Sequence, residues 1–127
     1  MRQGFSSARA IGSILIAAAG VLAVAAQDPA PREVRLVVRN MTYYLDGSAD
    51  PNPTLRLSRG ERVRIVLRND DAGMKHDFVV GDWHAATGLI PGRRETAVVI
   101  QAPSTAGRTV YHCTPHEETM RGTILVE

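Results

Sequence analysis

Short stretches of alternating apolar and polar residues, separated by turn-forming residues, fill the sequence from residue 34 to its end. In the clearest stretch, Val63, Ile65 and Leu67 alternate with mostly polar neighbours, as in a strand with one buried face. Residues 46–53 are so rich in Gly, Pro, Asn and Asp that they predict a loop. Residues 82–94 form a longer connection, in which glycines and a proline argue against a long helix.

The pattern predicts seven or eight short strands and no amphipathic helix. A chain of 127 residues suits one domain with a sizeable core rather than two domains. We therefore predict an all-β fold, a Greek-key antiparallel β-sandwich. The predicted strands are residues 34–39, 41–45, 55–57, 62–68, 76–80, 96–101, 109–113 and 123–127.

The N-terminus has the pattern of an export signal. Arg2 and Arg9 precede an uncharged, mostly apolar stretch, residues 11–26, which ends in small residues that suit a signal peptidase. The alternative is an uncleaved anchor, but 16 residues are short for a bilayer span of about 20. We predict a signal peptide at residues 1–26, a Pro-rich lead at 27–33 and a single folded domain at 34–127, in a periplasmic or otherwise extracytoplasmic protein.

The excess of basic residues belongs to the predicted signal. The whole chain has 15 Lys and Arg against 13 Asp and Glu, and two of the arginines lie in residues 1–26. The remaining domain is therefore neutral, with 13 basic and 13 acidic residues. Because no basic run is interleaved with aromatic residues, we predict no nucleic-acid partner.

The chain contains a single cysteine, Cys113. An exported protein with one cysteine cannot form an internal disulfide. In an oxidising compartment, such a cysteine is a free thiol, an intermolecular link or a metal ligand. The residues around Cys113 are therefore the main indication of function.

Cys113 is followed by His116 and Met120, and His76 lies upstream on another predicted strand. One thiolate, two imidazoles and a more distant thioether are the ligand set of a blue-copper site. Cys113 ends a strand, and Pro115 stiffens the turn that brings His116 back to the same place. The pattern predicts a mononuclear site with one copper ion, Cu(I) or Cu(II), bound by His76, Cys113, His116 and Met120.

The motifs HDF at 76–78, VYHCTPH at 110–116 and GTILVE at 122–127 resemble those of the cupredoxins, the plastocyanin, amicyanin and azurin superfamily. The resemblance covers residues 34–127. It implies a Greek-key β-sandwich with copper at one end, and a partly exposed His116 through which electrons pass. It also implies that redox partner proteins dock on the apolar surface around His116, for which the candidates are Met74, Leu89, Ile90, Pro91 and Pro115.

Two features depart from the family pattern. Many members carry Asn directly after the first histidine, where this chain has Asp77. An ionised Asp accepts hydrogen bonds but cannot donate them, so Asp77 is expected to hold Thr114 by its hydroxyl or amide. The spacing of Met120 leaves Glu117 or Glu118 as alternative axial ligands.

Two further histidines are not expected to bind this copper. His112 lies next to Cys113 on a strand and therefore points to the opposite face. A second copper at His112 would need more histidines, and the position at which the nitrite reductase pattern has one is Gly81. His84 is expected to be a surface residue.

The predicted function is single-electron transfer between redox partner proteins, by a monomer that has no membrane contact beyond a possible N-terminal anchor. The alternative on the same fold is a protein for carrying, storing or delivering copper. A small copper oxidoreductase is a further alternative, and it would need an open copper position. A zinc site or a metal-free sandwich is the structural alternative, because zinc also accepts Cys and His, although Met is a poor zinc ligand.

Overall fold

The computed structural model describes residues 4, 16 and 19–127. The predicted export signal therefore lies largely outside the described residues. Within them, no helix is long and apolar enough to cross a membrane. The described chain forms nine strands, which are β1 (Arg32–Val38), β2 (Tyr43–Leu45), β3 (Leu55–Leu57), β4 (Arg62–Asn69), β5 (Val79–Val80), β6 (Ala85–Ala86), β7 (Arg94–Gln101), β8 (Gly107–His112) and β9 (Arg121–Val126).

The strands form two sheets, in the orders β2-β1-β4-β7 and β3-β9-β8-β5-β6. The predicted all-β sandwich is confirmed, but both sheets are mixed rather than purely antiparallel. β1 pairs in parallel with β4, and β3 pairs in parallel with β9. Parallel neighbours need a long connection, and here the chain between β1 and β4 crosses to the other sheet through β3. Alternation along a strand does not reveal the direction of its neighbour.

The core lies between the sheets and follows the predicted alternation. Val63, Ile65 and Leu67 of β4 are buried, as are Leu36 and Val38 of β1. On the other sheet, the inward face of β9 contributes further buried residues, namely Gly122, Ile124 and Val126. Burial of apolar side chains is the main favourable contribution to the free energy of folding. The loops that connect the strands lie at the ends of the sandwich.

Two predicted segments differ in extent. The predicted strand 76–80 is regular only at Val79–Val80, and His76 instead makes an isolated bridge with Ile90. The predicted connection 82–94 contains the two-residue strand β6, which pairs with β5. Segments this short carry too few residues for a periodic pattern, so contacts with neighbouring strands decide their structure.

Candidate metal centre

The predicted ligands meet at one end of the sandwich. Cys113 directly follows β8, His116 ends a single 3-10 turn, Thr114–His116, and Met120 directly precedes β9. The Cys113 Sγ atom lies 3.6 Å from His76 Nδ1 and 3.6 Å from His116 Nδ1. All three candidate donor atoms lie within 4.8 Å of one another. A single ion can therefore contact all three.

Backbone hydrogen bonds close the loop between β8 and β9 on itself. The His116 amide donates to the Cys113 carbonyl over 3.2 Å, and the Met120 amide donates to the His116 carbonyl over 2.8 Å. The Cys113 amide donates to the Met120 carbonyl over 3.1 Å. These bonds return Met120 to the side of Cys113 and hold the loop in a closed conformation.

Asn52, in the loop between β2 and β3, holds the same loop from outside. Its side-chain amide donates to the Thr119 carbonyl over 3.1 Å, and its side-chain oxygen accepts from the Tyr43 amide over 3.2 Å. The loop that carries the candidate ligands is therefore attached to the first sheet.

The site is closed to solvent except at one residue. His76, Cys113 and Met120 are completely buried, and His116 is half-buried. Glu117 and Glu118 are exposed, and Glu117 forms an ion pair with Arg121 over 2.9 Å. Neither glutamate is among the buried side chains around Cys113.

Asp77 joins the two segments that carry the candidate ligands. Its carboxylate accepts from the Thr114 amide over 2.7 Å and from the Thr114 hydroxyl over 2.7 Å. The sequence predicts a hydrogen bond with the Thr114 hydroxyl or amide, and Asp77 accepts from both. The Tyr43 hydroxyl donates to the Asp77 carbonyl. Burial raises the pKa of Tyr43, which keeps this hydroxyl protonated.

Asp71 is a contact that sequence reasoning missed. One of its carboxylate oxygens lies 3.0 Å from His76 Nε2, on the side of the ring away from Cys113. The same carboxylate accepts from the amides of Asn40 and Met41 over 2.6 and 2.8 Å. Both of those residues have left-handed backbone angles, with φ of 51° and 52°. Asp71 thus orients His76 and supports a strained turn next to it. In the sequence it lies in an Asn-Asp-Asp run that indicates only the end of a strand.

Burial and nearby charge shift the pKa values of the site. Burial raises the pKa of the Cys113 thiol to about 11, and the Asp77 carboxylate adds to the effect. Burial lowers the pKa of His76, although the hydrogen bond and charge of Asp71 oppose this. Burial alone would raise the pKa of Asp71, but donors at Met41, Asn40 and His76 bring it below its ordinary value. A neutral thiol and a neutral imidazole thus prevail at neutral pH before a metal binds.

The stability of the metal-free protein should fall in alkaline solution. Because the folded state raises the pKa of Cys113, it binds that proton more tightly than the unfolded state does. The contribution of this proton binding to the free energy of unfolding is complete below the ordinary thiol pKa of 9.0. It is lost as the pH rises to about 11. We expect up to about 2 kcal/mol of unfolding free energy to be lost over this window. Urea unfolding of metal-free protein at several pH values measures it.

Cys113→Ser is the matched control for that measurement, because it removes the titrating thiol and keeps the other groups that ionise in this range. Its unfolding free energy should fall less with pH than that of the unaltered protein. Equal pH dependence in the two proteins would contradict the assignment.

The structure separates the two other histidines from this cluster. His112 is half-buried on β8 and pairs opposite Val79, whereas His84 is exposed with a left-handed φ of 50°. Within the described part of the chain, the only group of three or more potential ligands from His, Cys, Asp and Glu is His76, Cys113 and His116.

Several of the apolar residues predicted to dock partners are exposed. Pro91 and Pro115 are exposed, and Met74 and Leu89 keep 41% and 51% of their surface in solvent, whereas Ile90 is half-buried. Met41, which is 36% exposed, adds to this set. It lines one depression together with His116 and Pro115, and a second together with Met74. We call Met41, Met74, Leu89, Pro91 and Pro115 the apolar rim.

The donor set fits copper. Thiolate and thioether sulfur with imidazole nitrogen is the combination used by trigonal sites with a weak axial ligand. The buried cysteine is the only one in the chain, so no disulfide competes for its sulfur. A hard ion such as Mg²⁺ or Ca²⁺ would instead need oxygen ligands.

Comparisons with known proteins found a matching family model and solved structures of the same fold. A family model described as a cupredoxin-like domain matches residues 12–126. No curated protein matches the sequence significantly. Among solved structures, auracyanin A, a "blue" copper protein from Chloroflexus aurantiacus, has a TM-score of 0.57 and 19% identity. That match covers 77% of this chain and 100% of auracyanin A.

Two further solved structures share the fold. Reduced auracyanin from Roseiflexus castenholzii has a TM-score of 0.62 and 17% identity, covering 78% of this chain and 99% of its own. A variant of the multicopper oxidase McoA from Aquifex aeolicus has a TM-score of 0.60 and 13% identity, covering 76% of this chain but 26% of its own. Identities this low show the shared fold, which is the β-sandwich expected from the sequence.

Proposed function

Because this chain belongs to the cupredoxin family and its cofactor is copper, we propose that it is an exported carrier of single electrons between redox partner proteins. The observation that carries the proposal is the convergence of one sulfur and two ring nitrogens within 4.8 Å at a buried site. A copper ion bound there supplies one-electron chemistry between Cu(II) and Cu(I). The proposed ligands are His76, Cys113, His116 and Met120.

The chain's part in this function is to hold the donors still. His76 is oriented by Asp71, and Thr114 is tied to Asp77, so both ligand segments are fixed from outside. A site that does not rearrange when its charge changes exchanges electrons quickly. Complete burial of Met120 supports it as the axial ligand, whereas Glu117 and Glu118 are exposed. A closed site also favours an electron carrier over a copper oxidoreductase, which needs an open position.

His116 is the proposed point of electron exchange. It is the one candidate ligand that is partly exposed, and Met41 and Pro115 of the apolar rim line a depression with it. Exposed apolar side chains suit contact with partner proteins, because apolar residues form the centre of protein interfaces. We propose that a monomer docks its redox partners there, after export directed by residues 1–26.

The test of the proposal is repeated oxidation and reduction of the copper-loaded protein, followed by visible absorption. An intense thiolate-to-copper band in the red should disappear on reduction and return on oxidation, over many cycles and without loss of copper. A nearly colourless Cu(II) protein would contradict thiolate ligation. A coloured protein that loses its copper on reduction would contradict the carrier function.

Met120→Leu is expected to leave copper bound and to raise the reduction potential. Leucine fills a similar volume, so the buried site should keep its shape. A weak axial donor stabilises Cu(II) more than Cu(I), because Cu(II) carries the higher charge. Removing the Met120 thioether therefore favours Cu(I) and raises the potential. A redox titration of both proteins measures the change. Met74→Leu is the control, because it alters an exposed methionine that is not a proposed ligand, and it should leave the potential unchanged. Loss of all copper, or an unchanged potential, in Met120→Leu would refute the axial role.

Copper delivery is a second candidate function. It is favoured by the exposed thioethers of Met41 and Met74, which line one depression with Asp71 beside His76. Thioethers bind Cu(I) well. Retention of copper against a chelator during electron exchange supports the carrier, whereas rapid loss that slows in Met41→Leu supports delivery.

A further inference from the structure

Two carboxylates hold the segments that carry the proposed copper ligands. Asp71 contacts the far nitrogen of the His76 ring over 3.0 Å. Asp77 follows His76 in the chain and binds Thr114, the residue after Cys113, at both of its oxygens. One carboxylate is thus connected to an imidazole ligand, and the other to the segment that carries the thiolate. We call Asp71 and Asp77 the carboxylate pair.

The carboxylate pair is largely withdrawn from water. The Asp71 side chain is 13% exposed, and Asp77 is 5% exposed. Within residues 19–127, neither forms an ion pair with an arginine or a lysine, whereas the neighbouring Asp70 is 43% exposed and paired with Arg68. A charge with little solvent and no cationic side chain around it acts strongly over a few ångströms, because water and salt screen it much less than a surface charge.

From this arrangement we infer that the carboxylate pair lowers the reduction potential of the copper site, and makes this protein a better electron donor than the same ligands with neutral surroundings would be. The inference rests on the proposed function. Reduction transfers one electron from a redox partner to Cu(II), giving Cu(I), and lowers the charge of the site by one unit. Two fixed negative charges nearby favour the more positive oxidised state. Asp71 is positioned on the His76 ring and Asp77 on Thr114, so both are positioning residues.

Asp77→Asn is the sharpest variant, because it removes the charge and little else. An asparagine oxygen can still accept from the Thr114 amide, and its nitrogen can donate to the Thr114 hydroxyl, which is able to accept. In the copper-loaded full chain, we expect the equilibrium constant for reduction to rise at least about tenfold, which is 59 mV for a one-electron couple. Asp70→Asn is the matched control, and it should change that constant less than about twofold because Asp70 is exposed and paired.

Asp71→Asn should raise the constant in the same direction. This change also disturbs hydrogen bonds, since Asp71 accepts from three groups, the amides of Asn40 and Met41 and the His76 ring. Asp71→Glu keeps the negative charge and separates the two effects. A potential near that of the unaltered protein in Asp71→Glu supports the charge effect. A rise as large as that in Asp71→Asn would overturn it for Asp71.

The visible band identifies the cause of each change. A raised potential with an unaltered thiolate-to-copper band indicates an effect of charge, as we infer. An unchanged or lowered potential in Asp77→Asn, relative to Asp70→Asn, would overturn the inference. The titration uses small redox mediators and needs no partner protein, so its failure is distinct from failure of the proposed function, which would appear as a missing band in the unaltered protein.

Discussion

Cys113→Ser is expected to abolish the intense visible absorption of the copper-loaded protein while leaving the β-sandwich folded. The Cys113 sulfur is the only thiol in the chain, and it lies 3.6 Å from a ring nitrogen of each of two histidines. A thiolate-to-copper band requires that sulfur, and a serine hydroxyl cannot replace it. The fold should survive because the side chains are similar in size and the backbone bonds of residue 113 do not involve the side chain.

Visible absorption and far-ultraviolet circular dichroism of the same sample measure both parts of this expectation. His84→Ala is the matched control, since it removes an exposed histidine that is not part of the group formed by His76, Cys113 and His116. Its band should be unchanged. An unchanged band in Cys113→Ser would refute the ligand assignment, and loss of the circular dichroism signal would refute the separation of fold from site.

Gly122→Ala is expected to destabilise the protein strongly. A Cβ atom on Gly122 would overlap the ring of Tyr111, which pairs with it across β8 and β9. That ring cannot move aside, because its centroid lies 5.2 Å from those of both Tyr43 and Phe78 and its hydroxyl donates to the Pro53 carbonyl over 2.6 Å. Overpacking of such a site costs about 2 kcal/mol or more of unfolding free energy.

Gly107→Ala is the matched control for this change. Gly107 also lies in a strand of the same sheet, but a Cβ atom there would meet open space, and its φ is not positive. We expect its unfolding free energy to change by no more than about 0.5 kcal/mol. Urea unfolding of the metal-free proteins compares the two, and equal stabilities would show that Tyr111 can move without cost.

The alternation of side chains along the chain was sufficient to predict the sandwich and most of its strands. A strand with one buried face needs apolar residues at every second position, so Val63, Ile65 and Leu67 were sufficient to predict β4. The convergence of His76, Cys113 and His116 was also predictable, because one thiolate and two imidazoles belong to a single known ligand set. The pairing of Asp77 with Thr114 was implied by the family resemblance, and a carboxylate at this position can accept both hydrogen bonds.

Other features depend on contacts between segments that are distant in the sequence or lack a periodic pattern. The parallel pairing of β1 with β4 depends on where the chain crosses between sheets, and side-chain alternation is the same for either direction. The exposure of Glu117 and Glu118 and the burial of Met120 depend on how the loop closes on Cys113. Asp71 meets His76 because the turn after β4 folds over that ring, and five residues of non-helical chain carry no rule of spacing that predicts it. Local composition thus specified the strands and the donors, whereas burial, strand direction and the charges around the donors came from packing in three dimensions.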